Sequence, residues 1–340
     1  MIITYLFRSP GTGYSIEELF TAIQCEIDRQ PAMLTTRMQL PYISSGWRSV
    51  WRNFRFLRAI SGTIFHVTGD VHYAVLALPA ARTVLTIHDC SALENNRSRP
   101  LRYAFFWLIW YYLPIRRAAV VTVVSEKTQQ ELAGHIGRMA RKAVVITNGY
   151  DPAFMYRPTT ANKDCPVVLQ LGTAPNKNLL RLIAAIEGLR CTLILVGRLS
   201  DELIRELKKS QIEYRNYVDL SRAKVLQLYE ECDIVTFVST YEGFGMPILE
   251  ANAVGRVVIT ADREPMRTVA SDAAHFVDPE DVLAIRQGIL RLVEDDAYCQ
   301  LLREAGRKNA QRYTLSVAAA QYAAIYQKLA EIDVTSDKVL

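Results

Sequence analysis

Short apolar runs rich in Val, Ile and Thr alternate with stretches of helical periodicity along nearly the whole chain. The pattern comes in two series, parted by a polar break. In the first, strand-like runs at residues 2–7, 63–67, 83–87, 120–124 and 143–146 are interleaved with helical patterns at 16–30, 48–59, 101–117 and 126–136. Ser125 stands where it would cap the last of these helices. Turn chemistry follows in Asn148-Gly149-Tyr150-Asp151-Pro152, and 157–166 carries two prolines and no periodicity. The second series has strands at 167–171, 192–196, 214–218, 234–238 and 257–260. Helices at 178–188, 203–210, 221–231 and 247–254 separate them, with more helix to about residue 330. Strands that are apolar throughout are buried on both faces, as in parallel sheets covered by helices. Such repeated βα units predict an α/β protein of two doubly wound, Rossmann-like domains facing a cleft, with a boundary near 155–165. Ligands of these sheets bind beyond the carboxyl ends of the strands.

With 340 residues the chain can bury two sizeable cores without disulfides or metals. Half the residues are apolar and 22% are charged, which excludes disordered and collagen-like chains. The six cysteines (Cys25, Cys90, Cys165, Cys191, Cys232, Cys299) show no CxxC or His-linked metal spacing. Free thiols in a reducing compartment are expected, and no metal site. The amino terminus lacks the basic region, apolar core and cleavage site of a secretory signal. The longest strongly apolar run, 104–115, falls short of the ~20 residues a spanning helix needs, and it runs into Pro114 and Arg116-Arg117. These features predict a cytoplasmic chain that does not cross the membrane.

The most informative stretch follows the strand at 234–238: Glu242-Gly243-Phe244-Gly245-Met246-Pro247, then Glu250. Two glycines permit close backbone approach, and Pro247 sits where a helix would start. The amides of a helix start, at the positive end of its dipole, suit an anion such as a diphosphate. Glu242 and Glu250 are eight residues apart, a spacing that can set both carboxylates beside a ligand as acceptors for sugar hydroxyls. The same spacing also fits a glycine-rich βα turn with a solvated Glu on each side.

The pair of glutamates around Gly-Phe-Gly-x-Pro resembles the donor-site motif of glycosyltransferase family 4, retaining nucleotide-sugar-dependent enzymes of the GT-B fold. Other stretches are similar to that family in order and placement: Gly172-Thr173 followed by Asn176-Lys177-Asn178, Leu195-Val196-Gly197-Arg198, Ala253-Val254-Gly255, Thr147-Asn148-Gly149-Tyr150-Asp151, Thr122-Val123-Val124-Ser125 and Ile87-His88-Asp89. The resemblance implies an acceptor-binding domain over 1–155, a nucleotide-sugar-binding domain over 156–315, and a helix over 316–340 that can cross back to the first. It implies that Glu250 binds the ribose, and that Glu242 with the amides of Gly243, Phe244 and Gly245 faces the donor sugar and its phosphates. Lys177 would offset charge on the diphosphate leaving group, the largest catalytic effect open to a site without a metal. Thr173 departs from the family, many members of which carry Arg there. Either Lys177 acts with the helix amides alone, or Arg198 or another Arg reaches in. Arg198 reads equally well as a surface residue opening a loop.

His88 ends a strand, where it would contact the donor sugar or position the acceptor. Asp89 beside it reads as an acceptor-side residue or as a turn or cap. Pro10-Gly11-Thr12-Gly13-Tyr14-Ser15 follows the first strand, and by analogy Gly11, Gly13 and Tyr14 line the acceptor side. This loop is no dinucleotide fingerprint.

The net charge is only +5, from 40 Lys+Arg against 35 Asp+Glu, so the location of the basic residues matters more than their sum. From 46 to 60 the sequence reads GWRSVWRNFRFLRAI. On a helix, Trp47, Val50, Trp51, Phe54 and Leu57 share a stripe, with Arg48, Arg52 and Arg55 on the adjacent face. This is the pattern of a helix lying in an anionic membrane interface. Residues 101–117 repeat it with Trp107, Trp110 and several Tyr and Phe, where a core helix serves as well as a membrane surface. Nucleic acid is not an expected partner.

Together these features predict a metal-independent, cofactor-free glycosyltransferase. It would be peripheral on the inner face of the cell membrane, moving sugar from a nucleotide sugar to a lipid-linked or other glycan acceptor in surface polysaccharide assembly. A GT-B epimerase, hydrolase or phosphorylase is the alternative within enzymes, and a two-lobed sugar-binding protein the alternative outside them.

Overall fold

A computed structural model describes residues 1–11, 15–159 and 162–336. The chain divides into two compact units: Met1–Gly149 with the segment from Leu315 onward, and Tyr150–Thr314. The division falls at 149/150 and again at 314/315, a few residues before the expected 155. There is a local reason: Tyr150 bridges to Thr314 in a parallel β contact, and its N–H donates to Tyr313 O at 3.0 Å, so both ends of the second unit are tied together.

In the first unit the strands are β1 (Ile2–Phe7), β2 (Leu34–Gln39), β3 (Ile64–Val67), β4 (Thr83–Ile87), β5 (Val120–Val123) and β6 (Ala143–Val145). They form one sheet in the order β2-β1-β3-β4-β5-β6, with every pair parallel. The helices are α1 (Ser15–Asp28), α2 (Trp47–Leu57), the short α3 (Ser91–Glu94), α4 (Pro100–Phe105), α5 (Leu113–Arg117) and α6 (Glu126–Ile136). Ser125 caps α6, its side chain accepting from Thr128 N–H.

Side chains alternate across the sheet and bury both faces, which is why the strands are apolar throughout. Ile3, Tyr5 and Phe7 point to one face, where they pack with Phe20 and Ile23 of α1 and with Tyr322 and Tyr326 of the last helix, α14 (Leu315–Ser336). Leu6, Phe65, Leu85 and Ile87 meet Leu57, Tyr73, Trp110 and Leu132 on the other side of the core. A buried polar chain stitches α14 to the sheet: His66 Nδ1 to Tyr326 OH at 2.6 Å, His66 Nε2 to Thr86 Oγ1 at 2.7 Å, and Tyr326 OH to Tyr5 OH at 2.9 Å. Burial drives the His66 pKa down to about 3, so the ring is neutral.

The helix expected over 101–117 is continuous, but it changes its winding part-way. A π-helical stretch, Phe106–Tyr112, separates α4 from α5. Pro114 has no N–H for the carbonyl of Trp110 four residues back, and His72 Nδ1 bonds that carbonyl at 2.9 Å instead.

The second unit contains β7 (Val167–Leu171), α7 (Leu179–Ile186), β8 (Thr192–Val196), α8 (Asp201–Ser210), β9 (Glu213–Tyr217) and α9 (Arg222–Glu231). It continues with β10 (Ile234–Phe237), α10 (Met246–Val254), β11 (Val257–Ala261), α11 (Met266–Ala270), β12 (His275–Val277), α12 (Val282–Glu294) and α13 (Asp296–Ala310). The sheet order is β12-β11-β10-β7-β8-β9, again all parallel. Chain direction across the sheet reverses between β7 and β10, and a doubly wound sheet binds its ligand at such a switch point. The two loops that carry the glycine motifs follow these two strands.

Candidate active site

The turn after β7 is shaped by backbone conformations that few residues adopt. Gly172 has φ +83°, and a Cβ on it would stand 3.0 Å from Lys177 Cε, so the lysine stem lies across a position only glycine leaves open. A 3-10 turn, Pro175–Lys177, leads to Asn178 in the left-handed region at φ 61°. Asn tolerates this conformation, and here its side chain is used as well. Nδ2 donates to Val238 O at 3.0 Å and to Pro279 O at 2.6 Å, pinning the β7 turn to the end of β10.

The two loops are joined further at Asn176 and Lys177. Thr240 N–H donates to Asn176 O at 2.8 Å, and Asn176 Nδ2 donates to Tyr241 O at 2.9 Å and Glu242 Oε1 at 3.4 Å. Lys177 Nζ lies 2.6 Å from Glu242 Oε1 and 5.1 Å from the centre of the Phe237 ring. The side chains of Lys177 and Glu242 are 22% and 15% exposed. The lysine and carboxylate singled out in separate motifs are thus one ion pair at the switch point.

Helix α10 opens at Met246, one residue before the expected Pro247. Gly245 precedes it at φ +143°, with no side chain capping the helix. A helix start of this kind, followed by proline, has donors to offer an anion. Phe244 is buried edge-on against Tyr313, which anchors the loop. Glu250, one turn into the helix, is also buried: Tyr229 OH donates to its Oε2 at 2.6 Å and Arg222 Nη1 to its Oε1 at 3.3 Å. Neither glutamate is a solvated flank of a glycine turn.

Thr173 Oγ1 donates to Arg198 O at 2.6 Å, beneath Gly197 at φ +138°. The Arg198 guanidinium itself lies on Asp219 at 3.1 Å with its side chain 81% exposed, the surface placement of the two readings open for it.

In the first unit, His88 follows β4 and is half-buried. Its Nε2 must donate to Thr68 O at 2.7 Å, since a carbonyl only accepts, and burial lowers its pKa, so the ring is neutral with Nδ1 unprotonated. Asp89 Oδ1 accepts from Ser91 N–H at 2.8 Å, a turn-forming bond that gives the carboxylate a structural task. Gly11 has φ +80°. Gly13 and Tyr14 lie outside the described residues. Sequence reading missed Arg8, which pairs with Glu17 through two bonds of 2.8 and 2.7 Å, and Asp70, which accepts from Trp110 Nε1 at 3.0 Å.

On α2 the expected stripe divides. Leu57 is buried and Val50 and Phe54 are half-buried, whereas Trp47 is 76% and Trp51 53% exposed beside exposed Arg48, Arg52 and Arg55. Arg48 stacks over Trp47 and Arg55 over Trp51, at 5.5 and 5.0 Å. The inward face is completed by Asn53, which bonds Tyr42 N–H, Tyr42 O and Tyr73 OH. In the stretch from Pro100 to Arg117, Trp110 and Tyr111 are core residues, and only Leu101, Phe105 and Leu108 remain as exposed large apolar side chains. Among the described residues, no helix is long and apolar enough to cross a membrane, and no three His, Cys, Asp or Glu gather as a metal cluster.

Two family models match the chain. The one described as Glycosyl transferases group 1 takes in residues 155–309, and the one described as Glycosyltransferase Family 4 takes in residues 24–154. O-antigen chain mannosyltransferase B of Escherichia coli is 26% identical over 273 residues, covering 73% of this chain and 71% of that protein. Phosphatidyl-myo-inositol mannosyltransferase of Mycobacterium leprae is 26% identical over 168 residues, covering 46% of this chain and 44% of that one. The crystal structure of Anabaena HepE in complex with UDP and glucose shares the fold, with a TM-score of 0.73 at 19% identity over 96% of this chain and 100% of that one.

Proposed function

The chain belongs to the family 4 glycosyltransferases, with the two Rossmann-like domains of the GT-B fold, and on that premise we propose that it transfers a sugar from a nucleoside diphosphate to a lipid-linked glycan. The observation that carries the reading is the Lys177–Glu242 pair at the switch point of the second sheet. One cation and one carboxylate, side by side, match the two ends of a nucleotide sugar at the bond that breaks. Lys177 and the amides of Gly243, Phe244 and Gly245 hold the diphosphate, whose negative charge grows as the glycosidic bond breaks. Fixed donors aimed at that charge stabilise the transition state without reorganising. This charge compensation involves no metal ion.

Glu242 accepts hydroxyls of the donor sugar, and Glu250 accepts those of the ribose. Thr173, Met246 and Pro247 shape the loop walls, and Arg198 leaves Asp219 only if the diphosphate draws it. The acceptor hydroxyl attacks from the leaving-group face and passes its proton to the departing phosphate, so configuration at the anomeric carbon is retained. His88, neutral and committed through Nε2 to Thr68, has Nδ1 left as an acceptor for a sugar hydroxyl rather than as an acid. Gly11, Gly13, Tyr14 and Asp89 belong to the acceptor side.

The names of the relatives, an O-antigen chain mannosyltransferase and a phosphatidyl-inositol mannosyltransferase, support a lipid-linked acceptor and a role in bacterial surface polysaccharide assembly. The UDP and glucose bound to HepE support a nucleotide sugar as donor. The exposed tryptophans and arginines of α2 suit an anionic membrane surface on the cytoplasmic side. A thermal-shift panel of nucleoside diphosphates and nucleotide sugars identifies the donor, since a ligand stabilises by mass action. Transfer from that donor is then measured in K177A and E242A. Each should lose at least about 100-fold in turnover, and full activity in both would sink the assignment.

A further inference from the structure

Arg222 opens α9 directly after the capping Ser221, and its guanidinium joins two carboxylates. Nη1 is 3.3 Å from Glu250 Oε1 and Nε is 3.2 Å from Asp151 Oδ2. The guanidinium carbon lies 4.4 Å from the centre of the Phe154 ring, so stacking fixes its plane as well as charge does. Tyr229 on the same helix takes the other Glu250 oxygen, OH to Oε2 at 2.6 Å. Each oxygen of Glu250 is therefore engaged by a donor from α9, and the plane of the carboxylate is set by the protein alone. The Glu250 side chain is only 8% exposed, where an ion is costly to hold unless it is paired and hydrogen-bonded.

We infer that Arg222 is a positioning residue for the nucleotide, aiming Glu250 at the ribose diol. The inference rests on the reading of Glu250 given above. A carboxylate that receives two neighbouring hydroxyls must offer one lone pair from each oxygen in a common plane. Tyr229 and Arg222 hold one oxygen each, and so set the plane in which the carboxylate meets the 2′ and 3′ hydroxyls. Without Arg222 the α9 donor to Oε1 is lost, and the last torsion, which is broad for a carboxylate, is held less firmly. Asp151 holds the far side of the guanidinium, so the charge stays in place when the ribose site is empty.

The test is the preference for a nucleoside diphosphate over its 2′,3′-dideoxy form. UDP, GDP and ADP are titrated by calorimetry, and the tightest is carried forward with its dideoxy counterpart. Wild type should prefer the ribose form, and E250Q should lose that preference. R222Q should cut it about tenfold, the scale of a hydrogen bond to a charged group, while the dideoxy form binds every folded variant alike. An R222Q protein with the wild-type preference overturns the inference. A wild type with no preference overturns instead the ribose role of Glu250. If R222Q binds neither form, R222K takes its place. Its ammonium reaches one carboxylate only, so the preference should fall severalfold, and an unchanged preference again overturns the inference.

Discussion

Replacing Glu242 with Gln should tighten the binding of a nucleoside diphosphate while removing most of the transfer activity. The reason lies in the sharing of Lys177, whose Nζ is 2.6 Å from Glu242 Oε1 when no donor is bound. A phosphate oxygen approaching the same ammonium from its other side would stand about 5 Å from the carboxylate. Two like unit charges at that distance repel by roughly 0.8 kcal/mol in bulk water and roughly 3 kcal/mol at an effective dielectric of about 20. The pair is 22% and 15% exposed, which places the relief between these limits, and sharing of the ammonium brings it toward the lower one. About 1.4 kcal/mol is expected, or about tenfold in Kd. The Gln amide keeps the shape of the loop, and its oxygen still accepts from Lys177. Calorimetric titration at two salt concentrations reads the gain, which should shrink as salt screens the repulsion. Turnover should fall at least about 100-fold, because the carboxylate proposed to face the donor sugar is gone. Diphosphate binding that is unchanged or weaker in E242Q would refute the reasoning, since Lys177 would then not be where the diphosphate sits.

Three other outcomes are expected. The W47A/W51A double variant should unfold within about 0.5 kcal/mol of wild type, because both side chains are largely exposed, yet lose at least about tenfold in flotation with vesicles of anionic phospholipid. Undiminished flotation would remove α2 from any membrane contact. G172A should lose about 1–2 kcal/mol in thermal unfolding, from φ +83° and from the 3.0 Å approach to Lys177 Cε, and an unchanged Tm would contradict this. Stability should also fall with acid. His66 is held neutral with a pKa near 3 against an ordinary 6.5, so the unfolded chain binds the proton first, and stability present above pH 6.5 is lost as pH falls toward 3. At pH 5 the loss from this group is about 2 kcal/mol, and burial shifts His72 and His88 in the same direction. Urea unfolding equally stable at pH 7 and pH 5 would contradict it.

What the sequence reveals of the fold depends on burial. Strands such as β4 and β10 are buried at every position, and their apolar runs announce them. β2, LTTRMQ, is an edge strand with no fully buried residue, so nothing in its composition separates it from a loop. β12, likewise an edge strand in the second sheet, is only three residues long. The tryptophans show the limit of pattern reading. Trp47 and Trp110 sit in similar arginine-flanked surroundings, yet one is exposed and the other packs on Tyr73 and bonds Asp70. At the candidate site, Lys177 and Glu242 are legible because glycines mark their turns, Gly172 five residues before the lysine and Gly243 next to the glutamate. Asp151 lies in a marked turn, but nothing there points to Glu250, and Arg222 and Tyr229 carry no such mark. Arg222 and Tyr229 lie in an ordinary amphipathic stretch, and only the fold brings them to Glu250.

The first unit is discontinuous in the sequence, because α14 supplies Tyr322 and Tyr326 to a core begun by Ile3 and Tyr5. During synthesis, residues 150–314 must be made before that core can close. At about 5–20 residues per second, this interval lasts roughly 8–33 s. Throughout it, the face of the first sheet bearing Tyr5 and His66, already covered in part by Phe20 of α1, lacks the covering of α14. The second unit, contiguous in sequence, can complete its own core as it leaves the ribosome. The nascent chain therefore presents an unfinished apolar surface that a stop codon before α14 would make permanent, and loss of α14 should direct the whole protein to chaperones and proteases even though the second unit is complete.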